Sequence, residues 1–399
     1  MIKRNVLNKL EQEITRPEIV IVLGARQVGK TTVLKALQKY ADKQGLKSTF
    51  YDLEQPRILA DFNLSSNELI DKLSNSGEIV FIDEFQYLEN ASKIFKAIFD
   101  SGKKIKIFCS GSSSLAIHKH LKESLAGRRF LFRMYPLSYG EIKARYPQFS
   151  IREYVQYGGM PALLSEEFAD RKQLILAELL SSYILKDVKS LLKEENVKAF
   201  NHLLYLLAEN QGSMISVHSL SNQIGLSSKA VDRYLEILEQ TYVNFRVYSY
   251  SNNLGNELRK SCKTYFYDLG MRNALLRDFS GVGLRKDKGV IWETYVFLAL
   301  QQLLTVNTEI KFWRTKDGAE VDFILVKDRK PTPIEVKAAI KPDEIPSGVK
   351  RFLDRYKDTK TAFVVNENLE SVTRYQNCDI RYITFDNFEQ SIKLSISLD

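Results

Sequence analysis

Residues 19–32 read IVIVLGARQVGKTT, and residues 33–40 continue as VLKALQKY. Five aliphatic side chains in a row, Ile19 to Leu23, predict a strand buried on both faces, and VLKALQKY spaces its apolar residues as a helix does. The segment between them, Gly24, Ala25, Arg26, Gln27, Val28, Gly29, Lys30, Thr31 and Thr32, satisfies GxxxxGK[ST] in the setting that motif requires, strand to turn to helix. Such a turn aims backbone N–H groups and a helix N-terminus at phosphate oxygens. Lys30 is placed to neutralise the β and γ phosphates of ATP, and Thr31 to offer its hydroxyl to Mg²⁺. A glycine-rich turn with no ligand is the plainer alternative, but it leaves the strand, loop and helix in register unexplained.

Outward from this loop, residues 78–88 read EIVFIDEFQYL. A buried strand ending in Asp83 and Glu84 puts two carboxylates at the edge of a parallel sheet where ligands bind. Asp83 is expected to hold Mg²⁺, directly or through water, and Glu84 to polarise the water that attacks the γ-phosphate. The next strand, IKIFCSGSSS, delivers Ser110, Ser112 and Ser113 to the same edge. This resembles the sensor 1 position of AAA+ proteins, with Ser112 the candidate carried forward; a serine-rich turn is the alternative. In LAGRRFLFRMYPLSYGEI, Arg128 and Arg129 follow a glycine and are candidates for an arginine finger reaching a neighbouring subunit, which implies a homo-oligomer. A locally paired basic turn is the competing reading.

Periodicity divides the chain of 399 residues into three regions. Residues 1–150 alternate apolar runs with amphipathic helices, as a doubly wound parallel sheet does. Residues 151–285 are mostly helical, with apolar spacings of three and four in AELLSSYILKDV, FNHLLYLLAE and KAVDRYLEILEQ. Residues 286–399 form a second α/β unit, opened by the helix GVIWETYVFLALQQLL and continued by strand-like runs at Lys311 to Arg314, Glu320 to Val326, Thr332 to Val336 and Thr361 to Val365.

Taken together, GARQVGKTT, FIDEFQ, SGSSS, AGR followed by YPLSYGE, the GGMP turn at Gly158 to Pro161, YILKDV near Asp187, WETYVF, GAEVDF and IEVK resemble one family in order. It comprises bacterial and archaeal ATPases that join an AAA+ domain to a C-terminal domain of unknown function. The resemblance spans nearly the whole chain and implies an AAA+ P-loop NTPase core with a helical lid that binds and hydrolyses ATP. It names no substrate. No second-sensor arginine follows the lid, which departs from the pattern of many AAA+ proteins, and the GGMP turn reads as structural.

SVHSLSNQIGLSSKAVDRYLEILEQTYVNFRVYSYS, residues 216–251, reads as helix, turn, helix and strands, with Ser227 the expected N-cap of the second helix. This resembles a winged helix-turn-helix. In a DNA-binding version Ser228, Lys229 and Arg233 face the duplex. Glu236 and Glu239 on the same helix oppose phosphate, so docking of a protein partner is the favoured role.

At the C-terminus, WRTKDGAEVDFILV and PIEVKAA predict two strands joined by a turn. Alternation puts Glu335 and Lys337 on one strand face, opposite Ile334 and Val336. Asp322 on the first strand, Glu335-x-Lys337 on the second and Glu293 on a preceding helix resemble the PD-(D/E)xK nuclease core, a restriction-endonuclease-like α/β fold. In such a core Glu293, Asp322 and Glu335 bind Mg²⁺ and Lys337 stabilises developing charge. The alternative is a nuclease-like scaffold whose charges pair with one another.

The totals set outer bounds. With 44% hydrophobic and 27% charged residues the chain is that of a soluble globular protein. Three distant cysteines without a CxxC pair suggest neither disulfides nor a zinc knuckle, as in a reducing cytoplasm. Cys109 and His218 are assigned nothing. No signal-peptide core opens MIKRNVLNKLEQEI and no apolar run is long enough for a membrane. The net charge of +9 makes DNA or RNA a possible partner without singling it out. The leading expectation is an oligomeric Mg²⁺-dependent ATPase driving a nuclease-like domain. Its rival is an ATP-dependent switch or scaffold for a protein partner, and a sequence-specific regulator acting through the winged helix is a third.

Overall fold

The structure is a computed structural model describing residues 2–112, 125–183, 197–251 and 262–398. Ser113, Asp187 and YILKDV beyond Tyr183 lie outside the described residues. The chain divides into two compact units: Met1–Leu137 with Met160–Ala162 and Ile237–Val243, and Ser138–Gly159 with Leu163–Glu236 and Asn244–Asp399.

The first unit is built on a parallel sheet of β1 (Ile19–Gly24), β2 (Ser48–Asp52), β3 (Ile79–Asp83), β4 (Lys106–Ser112) and β5 (Arg129–Met134), in the order β2-β3-β4-β1-β5. β1, β3 and β4 are buried throughout because helices cover both faces, which is why they are written as unbroken apolar runs. Phe108 stacks on Phe81 at 5.4 Å between ring centroids, locking β4 to β3. Register sets Gly24 level with Ser112 and Asp52 level with Asp83. The C-terminal ends of β1, β3 and β4 therefore share one edge.

In the second unit, β6 (Met214–Ile215), β7 (Asn244–Val247) and β8 (Cys262–Phe266) make a small antiparallel sheet in the order β6-β8-β7. The helices Val217–Ile224 and Ser228–Gln240 lie between β6 and β7 in the chain. Ser227 accepts a hydrogen bond from the Ala230 N–H at 3.2 Å, the expected cap. A six-stranded mixed sheet follows, with β9 (Thr308–Arg314), β10 (Glu320–Lys327), β11 (Lys330–Val336), β12 (Thr361–Asn366), β13 (Ser371–Tyr375) and β14 (Cys378–Thr384) ordered β13-β14-β12-β11-β10-β9. β9, β10 and β11 are antiparallel neighbours, and β12 runs parallel to β11 after the helix Ser347–Arg355. The helix Lys288–Leu303 is apolar nearly all round and buries Ile291, Trp292 and Thr294 to Leu300.

Two sequence markers have local structural explanations. Gly159 of the GGMP turn donates its N–H to Asp268 Oδ2 at 2.8 Å, and Asp268 also caps the helix Leu269–Leu276 through the Met271 N–H at 2.9 Å. Ser138 and Tyr139 of YPLSYGE donate to Glu389 at 2.7 Å and Asp386 at 2.6 Å, at the start of the last helix. Among the described residues no helix is long and apolar enough to cross a membrane.

Candidate functional site

β1 delivers Gly24 into the loop, and the helix Lys30–Lys43 leaves it. Gly24 is required by close approach, because a Cβ there would run into the Met134 carbonyl oxygen of β5. Lys30 is 5% exposed, and its ammonium donates to the Gly24 carbonyl at 3.1 Å and the Ala25 carbonyl at 3.0 Å. The cation is thus held over the mouth of the loop by weak carbonyl partners that a phosphate would outcompete.

Asp83 and Glu84 leave β3 in different directions, because Glu84 takes a left-handed backbone with φ of 52°. Asp83 is 2% exposed and accepts hydrogen bonds from the Ser110 and Thr31 hydroxyls. Burial pushes its carboxyl above the ordinary range against the pull of those hydroxyls. Glu84 instead accepts from the Gln86 side chain and from the Ser112 N–H at 3.3 Å, while Gln86 Nε2 also reaches Ser112 Oγ at 3.2 Å. The serines therefore divide: Ser110 serves Asp83, and Ser112, level with Gly24, serves Glu84. Gln86 is a site residue that sequence reading missed, since nothing marks a glutamine two positions past an acidic pair.

In the second unit Glu293, Asp322, Glu335 and Lys337 come together, and Glu293 and Asp322 also face a residue the sequence did not point to. Lys263 of β8 is 3% exposed at its side chain, and its ammonium lies 3.0 Å from Glu293 Oε1, 2.6 Å from Glu320 Oε1 and 4.0 Å from Asp322 Oδ1. Burial alone would drive this ammonium toward neutrality, but Glu293, Asp322 and Glu320 hold it protonated, above its ordinary value. Tyr265 donates to Glu293 Oε1 at 2.6 Å. Asp322 Oδ2 accepts from the Val336 N–H at 2.8 Å, and Glu335 pairs with Lys337 at 2.6 Å. Burial, then repulsion from Asp322, raises both the Glu293 and Glu335 carboxyls. Among the described residues no three His, Cys, Asp or Glu side chains are arranged to hold a metal ion, so Glu293, Asp322 and Glu335 come near one another without forming a ready-made metal cage. An internal ammonium stands among the carboxylates, and backbone N–H and lysine partners occupy the others.

These geometries can be set beside known proteins. Residues 16–143 match the model of an AAA domain. The match and the loop geometry support a P-loop ATPase over these residues, with ATP as its nucleotide. Residues 148–281 and 288–385 match two models each described as a domain of unknown function, DUF8612 and DUF4143. An uncharacterized protein of Methanocaldococcus jannaschii is 27% identical over 98% of this chain and 90% of its own length. One of Haemophilus influenzae is 25% identical over 68% of this chain and 72% of its own length. The solved structure of AMPPCP-bound DnaA from Aquifex aeolicus covers 59% of this chain and 86% of its own at 15% identity, with a TM-score of 0.30. At that TM-score the likeness carries no functional inference.

Within the AAA domain, Arg128 and Arg129 stand away from the chain's own loop. Register pairs Arg129 with Ile19 and Met134 with Gly24. At ~3.3 Å per residue, Arg129 is about 16 Å along the strand from the loop. The Arg128 guanidinium pairs with both carboxylate oxygens of Asp100, at 2.7 and 3.3 Å. Arg129 has a buried Nε with no hydrogen-bond partner among the described residues.

Arg4 is a third residue that sequence reading missed. It is 8% exposed and donates to the Val28 carbonyl at 2.7 Å, the Tyr135 carbonyl at 2.6 Å and the Pro136 carbonyl at 3.4 Å. Its fork ties the outer side of the AAA domain's phosphate loop to the chain leaving β5. On the helix Ser228–Gln240, Ser228, Lys229 and Arg233 are exposed, but so are Asp232 and Glu236. That surface is mixed in charge.

Proposed function

We propose that this chain is a Mg²⁺-dependent ATPase in which the nucleotide state sets assembly, and in which the C-terminal α/β domain binds rather than cuts. The observation that carries the first half is the division of labour at the sheet edge: Asp83 with Thr31 and Ser110, Glu84 with Ser112 and Gln86. Thr31 and Asp83 are the hydroxyl and carboxylate oxygens a hard cation prefers, and they would hold Mg²⁺. That ion, when bound, neutralises charge on the β and γ phosphates. Lys30 leaves its carbonyl partners to meet the phosphates. Glu84, set apart from Asp83, orients water for in-line attack and takes up its proton, with Ser112 and Gln86 fixing the carboxylate.

Arg128 and Arg129 cannot serve their own loop, so a finger role is proposed in trans, from a neighbouring copy in a homo-oligomer. Among the described residues Cys109, Cys262 and Cys378 are buried and form no disulfide, and we place the protein in the cytoplasm. For the helix Ser228–Gln240 the mixed charge favours docking a protein partner over reading DNA.

A nuclease is the second reading, favoured by one observation: helix Lys288–Leu303, β9, β10, β11, helix Ser347–Arg355 and β12 bring Glu293, Asp322, Glu335 and Lys337 together in the order expected. Lys263 weighs against it. The test pairs phosphate release from ATP with nicking of single-stranded DNA, duplex DNA and RNA in Mg²⁺ or Mn²⁺, comparing wild type, Lys30→Ala, Glu84→Gln and Lys337→Ala. ATP hydrolysis abolished by Lys30→Ala and Glu84→Gln, with no nicking, is the expected result. Nicking that disappears in Lys337→Ala would replace the switch with the nuclease. Hydrolysis that survives in Glu84→Gln would remove the proposed ATPase mechanism.

A further inference from the structure

At the turn between β9 and β10, a cavity of about 540 Å³ opens in the second unit, in the size range of small-molecule sites. Its walls are formed by the end of β9, the turn after it, the segment around Tyr250 and the helix Ser347–Arg355. Four cations line it, Arg314, Lys316, Arg351 and Arg355, against one carboxylate, Asp317. All four are exposed at the residue level. Trp313 and Tyr250 supply part of an apolar wall.

The cations are held in place by the fold. Arg351 and Arg355 are four residues apart on one helix and so share a face. That helix cannot slide, because Gly348 is pressed so closely on β10 that a Cβ would run into the Glu320 carbonyl oxygen. Backbone bonds fix the opposite wall: the Tyr250 N–H donates to the Phe312 carbonyl at 2.6 Å and the Phe312 N–H to the Tyr248 carbonyl at 3.1 Å. Arg314 pairs with Glu320 at 3.0 Å and Arg351 pairs with Asp317. Among the described residues that leaves Lys316 and Arg355 with no carboxylate partner, while the Arg355 guanidinium lies 5.8 Å from the centre of the Tyr356 ring.

Two uncompensated cations, two arginine forks and a partly apolar wall around a single-ligand volume make an anion site with room for a flat body. We propose that this cavity binds a phosphate-bearing nucleotide unit, with Lys316 and Arg355 meeting the phosphate and Arg351 released from Asp317 to join them. Arginine forks match phosphate oxygens two at a time, and a lysine adds a point charge. A carboxylate-rich peptide is the less fitting occupant, because its short acidic side chains bring no flat body to the wall that Tyr250 and Trp313 form. The unit is either a free mononucleotide or one residue of a single strand. The site needs no ATP hydrolysis, and Lys316 and Arg355 stand apart from the Lys263 cluster, which adjoins the cavity wall through Glu320, the partner of Arg314.

Fluorescence polarisation on the full chain tests this. The probes are a labelled oligothymidylate and a labelled poly-glutamate peptide, read in Lys30→Ala protein so that the phosphate loop does not compete. In that background, Lys316→Ala/Arg355→Ala is expected to weaken oligonucleotide binding at least tenfold. It should also cut the slope of log affinity against log salt by about 1.4, two phosphate contacts at ~0.7 each. Both side chains are exposed, and a melting curve matched to the parent confirms that the variant is folded. Competition by adenosine monophosphate as effective as unlabelled oligonucleotide would assign the free nucleotide, and weaker competition the strand. Oligonucleotide binding unchanged in the double variant, no binding in the parent, or tighter binding of the peptide would each overturn the proposal.

Discussion

The Lys263 ammonium lies 3.0 Å from Glu293 Oε1 and 2.6 Å from Glu320 Oε1, one buried cation shared by two carboxylates. Removing it should leave them in need of another cation. Lys263→Ala leaves Glu293, Glu320 and Asp322 without their shared cation, and breaking a buried ion pair costs about 3–5 kcal/mol. We expect a clear drop in melting temperature for Lys263→Ala, partly restored by millimolar Mn²⁺, which leaves wild type unmoved. A Mn²⁺ response equal in both proteins would mean that Lys263 does not fill a cation's place.

Glu84 and Lys30 should separate hydrolysis from binding. Glu84→Gln keeps the side-chain shape but cannot take a proton, so turnover should fall about 10²- to 10⁴-fold with nucleotide affinity retained. Lys30→Ala should lose affinity itself. Isothermal titration with a non-hydrolysable ATP analogue, beside a phosphate-release assay, reads the two effects independently. Affinity lost in Glu84→Gln would assign that carboxylate to binding.

How much of this was legible in the sequence follows from the range of the interactions concerned. The phosphate loop and β3 could be read because each is continuous: Ile19 to Leu23 and Ile79 to Ile82 are apolar runs ending in the residues that matter. Glu293, Asp322, Glu335 and Lys337 were found because each sits on an element whose face can be counted. Lys263 was not, since CKTYF looks like any short strand and its partners lie far along the chain, on the helix Lys288–Leu303 and on β10. β13 offers no signal either, because SVTRY is mostly exposed at the sheet edge and has no apolar face to alternate. Ser110 and Ser112 were indistinguishable until register set Ser112 opposite Gly24.

Arg4 lies outside the matched AAA segment, yet it braces the loop by three backbone carbonyls. Arg4→Ala would take the Arg4 donor away from the buried Val28 carbonyl and release the chain leaving β5, at about 1–3 kcal/mol for a buried acceptor that loses its donor. We expect lower stability of the first unit and at least tenfold weaker nucleotide binding. Arg4→Lys should recover part of the stability but not the affinity, because an ammonium cannot hold Val28 and Tyr135 in the fixed geometry of a fork. Equal affinity in Arg4→Ala and wild type would confine Arg4 to a structural role remote from the loop.

Asp287 offers a test by pH. It bonds Arg272 at 2.8 Å and Arg285 at 2.8 and 2.7 Å, and those arginine side chains are 0% and 2% exposed. Burial alone would raise the Asp287 carboxyl, but the two guanidinium forks overcome it and hold the group at about 2. A lowered carboxyl contributes stability that is present above the unfolded value near 3.9 and is lost as pH falls through about 2. The contribution is about 2–3 kcal/mol at neutral pH, from roughly two units at 1.36 kcal/mol each. Asp287→Asn should therefore destabilise the protein at pH 7, by about 3–5 kcal/mol once buried Arg272 loses its charge partner and Arg285 is left with Asp278. Urea midpoints followed from pH 5 down to pH 2 should fall more steeply in wild type than in Asp287→Asn, so that the gap narrows with acid. A gap that stays constant over that range would show that Asp287 acts through shape and hydrogen bonding alone.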